Sequence, residues 1–551
     1  MFSVSSATPK DKQAAALAFI QWVNGSKDGV SEFLTANKGN YFMASNYYQK
    51  DKSKRDQQET DGYFANTNVN EVYFESMDKV NTDWDYIPFP AQLTVAFGDT
   101  VTPALAGKGD LLTAFTKLQD NLKSYAEDNG FKVTTYDFRF PTSATFSGSD
   151  AMNPDPDYSS AYVVIATDAG DSGNGFVFTI GRGNDVVVRA IDSMSETLIG
   201  RNVEELLDNM RLAWDLFVRD SQLRWLGPEK GVKHMAIGAV LSTLWDLKAK
   251  RAGKPLWLLL SEMEPEELVA TLDFRYLTDA LTPQEAIEIL RAAQEGKAER
   301  IAHLKEVGYP GYSTAAGWLG YSDEKMVRLA KQETEVMGFK QIKLKVGQNL
   351  EDDLRRLKLA REAVGPDIAI AVDANQVWDV PQAIEWIGKF NDYDLAWVEE
   401  PTCPDDVLGH AAIQKAIDPI PVATGEQMQN RVMYKQYLQA GSFKVMQIDA
   451  TRVAGPQEIV LEYLLAKKFG VKVCPHAGGV GLCEAISQLA MFDYVSVSGE
   501  MEDRVVEYVD NQHEYFVHPT VIKNGRYVAP LAPGNGTEMK LDECMRYLHR
   551  D

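Results

Sequence analysis

Short apolar runs alternate with longer amphipathic stretches in the second half of the chain, from about residue 268 to residue 510. Apolar runs of strand length, separated by segments whose apolar positions lie three or four apart, predict parallel βαβ units. About 240 residues of this alternation fit a (β/α) barrel, whose usual length is ~250 residues. A doubly wound open sheet is the alternative, but no G-x-G-x-x-G motif follows an early strand. The predicted strands read KQIKLKV, DIAIAVDAN, LAWVEEP, IPVATGE, FKVMQID and VKVCPHA.

Residues 134–265 have a different order of elements. The strand-like stretches AYVVIATDA and GFVFTIGRG come first, and helical stretches follow, of which the last is GVKHMAIGAVLSTLWDLKAKRAGKPLWLLL. Strands followed by helices predict a small α+β domain. We therefore expect an α/β protein in which an α+β capping domain precedes a barrel at residues 268–510. Residues 511–551 are expected to pack back on the cap.

Residues 1–130 are polar and rich in aromatic side chains. They open with the amphipathic pattern KDKQAAALAFIQWVNGS and close with LLTAFTKLQDNLKSYAEDNG, which predicts an extra, mostly helical segment. These two stretches, together with YFANTNVNEVYFESM, resemble the C-terminal part of a sugar transporter solute-binding protein. Such proteins bind sugar between two lobes. The partial resemblance therefore implies a fused remnant rather than a working sugar-binding module.

Composition and charge exclude several classes of function. The chain has 551 residues, of which 45% are hydrophobic and 25% are charged, as in ordinary soluble proteins. Its net charge of −23 disfavours nucleic acid and anionic membrane surfaces as partners, because both attract a basic face. The four cysteines form no C-x-x-C pair, which fits a reducing compartment. Neither a secretory signal nor a run of about 18 apolar residues is visible, so we expect a cytoplasmic protein.

Ionisable residues end the predicted barrel strands, one for each strand. They are Lys345, Asp373, Glu399, Glu426, Asp449 and His476. Barrel enzymes place their active sites at the C-terminal ends of the strands. A single residue of this kind is often a solvated loop side chain, but six at the same position in successive units predict an active site.

Carboxylates end three successive predicted strands, at Asp373, Glu399 and Glu426. Three hard oxygen ligands without histidine or cysteine predict Mg²⁺ rather than zinc. Asn375 lies on the same side of its strand as Asp373, and we expect it to support this group. The remaining positions around Mg²⁺ would be open to water and to oxygens of an anionic substrate.

Two lysines, Lys343 and Lys345, share one face of a predicted strand, because positions two apart point the same way. Near a dication and a second ammonium, the pKa of a lysine should fall, so that Lys345 can act as a general base. The alternative is that both lysines merely pair with acids. Asp449 and His476 end neighbouring strands, and an aspartate that fixes the imidazole tautomer lets the other ring nitrogen shuttle a proton. The whole set predicts removal of the proton α to a carboxylate, with the enediolate stabilised by the metal.

Several motifs of the chain carry a resemblance to a known family. KLK, VDAN, WVEEPTCPDD, ATGEQ, QIDATR and CPHAGGVGLCE resemble the enolase superfamily, mandelate racemase subgroup, and the match covers residues 134–551. FRFPTS, SDAMNPDPDYS, LRWLGPEKGV, DFRYLTD, WLGYSD and VVEYVDNQHEYF are similar to the L-fuconate dehydratase family. The resemblance implies an enolase-type barrel with a capping domain, and a Mg²⁺-dependent hydro-lyase of L-fucose degradation. Its substrate would be L-fuconate, its products 2-keto-3-deoxy-L-fuconate and water, and its assembly a homo-oligomer.

The same resemblance implies a role for each site residue. The Mg²⁺ ligands would be Asp373, Glu399 and Glu426. Lys345 would be the acid/base on one face of the substrate. His476, oriented by Asp449, would be the acid/base on the other face. The implied substrate contacts are Lys343 at the carboxylate, Glu507 at the enediolate oxygen, Asn375 beside the ligands, and Gly148, Ser149, Asp150 and Tyr158 over the distal hydroxyls. Two alternatives stay open: another acid-sugar dehydratase or epimerase on this scaffold, and a non-catalytic sugar-binding fusion.

Overall fold

The computed structural model of the protein describes residues 97, 99–104, 110, 113–118, 121, 131–199 and 201–550. The predicted segment that resembles a solute-binding protein, residues 1–130, therefore lies almost entirely outside the described residues. The described part contains a three-stranded antiparallel sheet, a barrel of parallel strands and a C-terminal segment that contacts both. Among the described helices, none combines the length and the apolar character needed to cross a bilayer.

The antiparallel sheet forms the cap and consists of β1 (Phe131–Arg139), β2 (Ser159–Thr167) and β3 (Ser172–Thr179). β2 lies in the middle, and among the described strands β3 pairs only with β2. Helices then follow in the order α1 (Asn184–Ser195), α2 (Val203–Asp208), α3 (Met210–Val218), α4 (Ser221–Leu226), α5 (Gly231–Arg251), α6 (Leu256–Glu262), α7 (Pro265–Ala270), α8 (Pro283–Ala292) and α9 (Lys297–Val307). The long helix α5 packs against β3 and α1 and buries Trp245 completely.

The barrel strands follow one another around the barrel in chain order. They are β4 (Tyr309–Ser313), β5 (Gln341–Lys345), β6 (Ala369–Asp373), β7 (Leu395–Glu399), β8 (Val422–Thr424), β9 (Val445–Met446), β10 (Lys472–Val473) and β11 (Val506–Tyr508). β11 pairs in parallel with β4, and the Glu507 N–H donates to Pro475 O at 3.1 Å just beyond β10. These two connections close the barrel.

Helices cover the outside of the barrel between its strands. They are α10 (Asp323–Lys331), α11 (Leu350–Val364), α12 (Val380–Gly388), α13 (Val407–Ala416), α14 (Arg431–Ala440), α15 (Pro456–Phe469) and α16 (Leu482–Asp493). The C-terminal segment adds β12 (Ile522–Lys523), β13 (Arg526–Tyr527) and α17 (Leu541–Cys544). β13 pairs with β4 of the barrel, whereas Leu548 bridges to Phe138 of the cap.

The barrel strands differ from the prediction in number and in length. β4 and β11 were not predicted. Pro310 and Gly311 interrupt the apolar pattern of β4, and β11 is a strand of three residues. β8, β9 and β10 end two or three residues before Glu426, Asp449 and His476. These three side chains therefore lie at the start of the loops that follow the strands rather than at the strand ends themselves.

A layer of mostly apolar side chains fills the barrel below the predicted site. It consists of Tyr312, Ala371, Trp397, Ala423, Val445 and Cys474. Two of its aromatic rings, those of Tyr312 and Trp397, meet edge to face with their centroids 5.2 Å apart. Trp397 Nε1 donates to Glu399 Oε2 at 2.9 Å, so this layer also orients a carboxylate of the site above it.

Glu333 is buried in the π-helical turn Gln332–Val336 that follows α10. Burial raises the pKa of Glu333 from 4.5 to about 8, and neither carboxylate oxygen has a hydrogen-bond partner among the described residues. Because the folded pKa lies above the unfolded one, the folded state holds the proton more tightly. The stability that this proton contributes is complete below pH 4.5 and is lost as the pH rises to about 8.

Glu333→Gln is expected to remove this dependence on pH. Relative to the variant, the wild-type protein should lose about 1.4 kcal/mol of unfolding free energy for each pH unit between about pH 5 and about pH 8. Denaturant unfolding across this range measures the difference, and Glu335→Gln in the same turn is the exposed control. Equal pH slopes in wild type and Glu333→Gln would show that Glu333 is ionised in the folded protein.

Candidate active site

Three carboxylates from successive strands meet at the C-terminal end of the barrel. Asp373 is the last residue of β6, Glu399 is the last residue of β7, and Glu426 lies just beyond β8. All three side chains are buried, and one oxygen atom from each lies within 4.8 Å of the others. The structure thus brings together the three residues that the sequence predicts as metal ligands.

The surroundings of these carboxylates fit a divalent cation. Glu426 Oε2 is buried and has no hydrogen-bond partner among the described residues. Burial and the neighbouring Asp373 carboxylate raise the pKa of Glu399 to about 8, although the Lys343 ammonium opposes the shift. A dication would stabilise the charged form of each carboxylate, and three oxygen donors suit Mg²⁺ better than zinc.

Lys343 and Lys345 both point into the barrel, and both pair with acids. Lys343 Nζ contacts Glu399 and lies 3.0 Å from Glu507 Oε1, and Lys345 Nζ lies 2.5 Å from Asp373 Oδ2. Burial alone would lower the pKa of each lysine, but these carboxylates outweigh it and raise both pKa values. The protein's own groups therefore raise the pKa of Lys345, and the predicted fall stays a prediction that depends on a bound dication. The second ammonium does oppose the rise, but Asp373 contributes more.

His476 and Asp449 form a hydrogen-bonded pair on another side of the carboxylates. His476 Nδ1 lies 2.8 Å from Asp449 Oδ2, and Nε2 lies 3.7 Å from both Glu426 Oε2 and Glu507 Oε2. Burial would lower the pKa of His476, but Glu426 and Asp449 outweigh it and raise the pKa to about 9. These carboxylates thus favour the charged form of the imidazole, and its Nε2 faces the site.

Glu507, on β11, connects the lysine side of the site with the histidine side. Its Oε1 pairs with Lys343 and accepts a hydrogen bond from the hydroxyl of Thr314. Its Oε2 accepts from the N–H of Ala477, the residue after His476, at 3.0 Å. Thr314 was not predicted as a site residue, because it follows β4, whose sequence conceals the strand.

A loop of the cap between β1 and β2 lies beside the site. Gly148 has φ +86°, and a Cβ at this position would come within 2.4 Å of the Tyr158 ring, which favours glycine here. The backbone carbonyl of Ser149 accepts a hydrogen bond from a backbone N–H in the loop that follows β4. Burial raises the pKa of Asp150, and the charge of Lys345 opposes the rise, which places this carboxyl within electrostatic reach of the site.

Comparisons with known proteins identify a family for both the barrel and the cap. Residues 325–543 match the family described as enolase C-terminal domain-like, and residues 152–261 match the mandelate racemase/muconate lactonizing enzyme N-terminal domain. Mitochondrial enolase superfamily member 1 of Xenopus laevis is 49% identical over 419 residues, which cover 75% of this chain and 94% of that protein. The chain belongs to the enolase superfamily.

Two other members of the enolase superfamily match over a similar length. L-galactonate dehydratase of Hypocrea jecorina is 49% identical over 416 residues, which cover 75% of this chain and 92% of that protein. The crystal structure of human mitochondrial enolase superfamily member 1 is 47% identical, covers 77% of this chain and 98% of its own, and has a TM-score of 0.75. The predicted enolase-type barrel with its capping domain is confirmed.

Glu400 and Gln376 also lie at the site, although neither the sequence pattern nor the superfamily motifs assigned them a role. Gln376 Nε2 donates to both carboxylate oxygens of Glu400, at 2.9 and 3.0 Å. The preceding residue, Asn375, donates its N–H to Asp373 Oδ1 at 2.9 Å. The sequence did not predict this arrangement, because adjacent residues of a regular strand point to opposite faces of the sheet. Glu400, Asn375 and Gln376 instead have φ of 42°, 45° and 68°, which breaks the alternation.

Proposed function

We propose that the protein is a hydro-lyase that dehydrates a sugar acid, with L-fuconate as substrate and 2-keto-3-deoxy-L-fuconate and water as products. The observation that carries the proposal is the position of an amine and an imidazole on different sides of three buried carboxylates. Lys345 comes from β5 and His476 follows β10, and the carboxylates of Asp373, Glu399 and Glu426 lie between them. The name of the Hypocrea jecorina relative supports dehydration of a sugar acid. The motifs that resemble the L-fuconate dehydratase family support L-fuconate as the substrate.

Two side chains would move protons in this reaction. Asp373, Glu399 and Glu426 would hold Mg²⁺, which when bound supplies positive charge where the substrate carboxylate becomes more negative. Lys345, in the neutral form that a cation held by Asp373 would favour, takes the proton from C2 of the sugar acid. His476 gives a proton to the hydroxyl on C3, which leaves as water. The enol that remains loses its O–H proton and gains a proton at C3. The product therefore has a ketone at C2 and a methylene group at C3.

The other site residues would bind and orient the sugar acid. In this proposal Lys343 faces the substrate carboxylate, and Glu507 lies at the oxygen that becomes the enediolate. Asn375 lies beside the metal ligands, and the cap residues Gly148, Ser149, Asp150 and Tyr158 lie over the distal hydroxyls. Homo-oligomeric assembly and a cytoplasmic location remain predictions from the sequence.

L-galactonate is the second candidate substrate. It is favoured by the 49% identity to a protein named for that acid. L-fuconate is 6-deoxy-L-galactonate, so the two acids differ by one hydroxyl group, on C6. A pocket that hydrogen-bonds this hydroxyl would reject L-fuconate strongly, whereas an apolar pocket would discriminate only weakly against L-galactonate. The ratio of kcat/KM for this pair therefore reports the polarity of the cap above C6.

A panel of acid sugars, incubated with the protein and Mg²⁺, tests the proposal. Loss of one water from L-fuconate, measured by mass spectrometry, is the expected result. A change of configuration without loss of mass would instead identify an epimerase. Calorimetric binding of the acids without any turnover would identify a sugar-binding fusion. Either outcome would overturn the dehydratase proposal.

Deletion of residues 1–130 is expected to leave the dehydration activity largely intact. The human homologue forms an enolase-type fold whose match covers 98% of its own chain but only 77% of this one. The catalytic side chains all lie in the described range from residue 131 onwards. Steady-state kinetics of the truncated and full-length proteins measures the effect. A large loss of kcat/KM at unchanged thermal stability would show that the N-terminal segment takes part in the reaction.

A further inference from the structure

The loop after β9 places a threonine against the carboxylate that orients His476. Thr451 is 4% exposed, and its hydroxyl donates to Asp449 Oδ1 at 2.9 Å. Its backbone N–H donates to the same oxygen at 2.7 Å. The other oxygen, Oδ2, is the one that faces His476 Nδ1. Both oxygens of Asp449 are therefore held, which fixes the rotation of the carboxylate relative to the imidazole.

The same threonine hydroxyl also touches the cap. The N–H of Phe178, on β3, donates to Thr451 Oγ1 at 3.4 Å. Among the described strands β3 has no partner on this edge, so this N–H points away from the cap sheet and towards the barrel. A hydroxyl has one proton and two lone pairs, so it can donate to Asp449 and accept from Phe178 at the same time. One atom thus joins the cap sheet to the Asp449 carboxylate.

The ring of Phe178 contacts the histidine half of the pair. A Cβ on Gly479, three residues after His476, would come within 2.5 Å of this ring, so ring and backbone are in close contact. The ring also meets Tyr158 of the cap edge to face, with centroids 5.0 Å apart. One residue of the outer cap strand therefore contacts the loop of Asp449 through its N–H and the loop of His476 through its ring.

We infer that Thr451 is a positioning residue, which makes the orientation of the Asp449–His476 pair depend on how the cap is seated on the barrel. The inference rests on the proposed dehydration, in which His476 transfers a proton. Loss of the Thr451 hydroxyl leaves the backbone N–H bond to Asp449 in place, but it removes both the second restraint on the carboxylate and the link to β3. The effect should therefore fall on turnover rather than on substrate binding.

Thr451→Val and Thr451→Ser test this inference. Valine keeps the volume and removes the hydroxyl, whereas serine keeps the hydroxyl. We expect kcat for L-fuconate to fall about 10-fold in the valine variant, the effect of one lost hydrogen bond to a charged group, with KM nearly unchanged. The serine variant should recover most of the wild-type kcat. Tyr321→Phe is the matched control, because it removes another contact between cap and barrel, that of Tyr321 with the Ser147 hydroxyl at 3.4 Å.

A second readout needs no substrate. The proton on His476 Nδ1 should give a downfield NMR resonance, identified by its loss in His476→Asn. We expect this resonance to shift in Thr451→Val relative to the wild-type protein. In Thr451→Ser and in Tyr321→Phe it should keep its wild-type position. If Thr451→Val does not fold, Thr451→Ala takes its place in both measurements. Alanine also lacks the hydroxyl, and its methyl group is smaller than the valine side chain.

The outcomes separate this inference from the proposed function. A wild-type protein that dehydrates no sugar acid would refute the proposed function, and the position of the resonance would still decide whether Thr451 orients the pair. Wild-type kcat and an unmoved resonance in Thr451→Val, with only a lower melting temperature, would show that Thr451 merely stabilises the contact between cap and barrel. That result would overturn the inference.

Discussion

Lys345→Ala is expected to abolish dehydration and to leave the fold intact. A positioned general base contributes about 10²- to 10⁴-fold, and we expect a loss near the upper end because Lys345 would take the C2 proton directly. The fold should survive, because Asp373 keeps two other contacts when the ammonium is removed. These are the N–H of Asn375 at 2.9 Å and Lys343 Nζ at 3.7 Å. The buried carboxylate is therefore not left without a partner.

The measurement for this variant combines kinetics with thermal unfolding. Lys340→Ala is the matched control, because Lys340 is exposed and directly precedes the same strand. Lys340→Ala should retain the wild-type kcat/KM, whereas Lys345→Ala should lose activity but still unfold cooperatively on heating. Full activity in Lys345→Ala would remove Lys345 from the mechanism and leave its pairing with Asp373 as its whole role.

Glu426→Gln is expected to remove Mg²⁺ binding and to lower kcat/KM by about 10³-fold, since a catalytic metal contributes several kcal/mol to stabilising developing charge. Glu426 is the informative ligand to change, because its Oε2 has no hydrogen-bond partner among the described residues. Burial raises the pKa of Glu426, and Asp373 adds to the rise, so the charged form is disfavoured when no cation is bound. The variant should therefore be at least as stable as wild type in the absence of Mg²⁺.

Thermal unfolding with and without Mg²⁺ distinguishes a ligand from a purely structural residue. An ion that binds only the folded state raises the melting temperature as its concentration rises. We expect this rise in the wild-type protein and in Glu385→Gln, a surface control on α12, but not in Glu426→Gln. Unchanged Mg²⁺ affinity in Glu426→Gln, measured by calorimetry, would contradict the assignment of the three carboxylates as the metal site.

The sequence indicated much of the barrel because its middle strands are regular. β5, β6 and β7 end at Lys345, Asp373 and Glu399, as their apolar runs predict. Strand β4 could not be read in this way, because Pro310 and Gly311 interrupt its pattern. A consequence is that Thr314, which follows β4, did not enter the predicted site.

The pKa of Lys345 and the position of Glu400 could not be predicted from the sequence, because they depend on distances and backbone conformation in the folded chain. The predicted fall in the pKa of Lys345 considered the positive charges but not the distance to Asp373, which only the folded chain determines. Glu400 reaches the site because its backbone is left-handed, whereas the strand rule places it on the opposite face from Glu399. Local backbone conformation and exact distances are thus the main information that the structure adds.

The close packing of Phe178 against Gly479 restricts how this cap can be exchanged with that of another homologue. A chimera that joins a foreign cap to this barrel would need an aromatic ring of the same size at the outer strand, because a smaller side chain would leave a void beside the histidine loop. The reverse chimera would need a residue without a side chain at the position of Gly479, since even one methyl group would collide with the ring. Recombination of homologous genes should therefore preserve activity only when both positions come from the same parent.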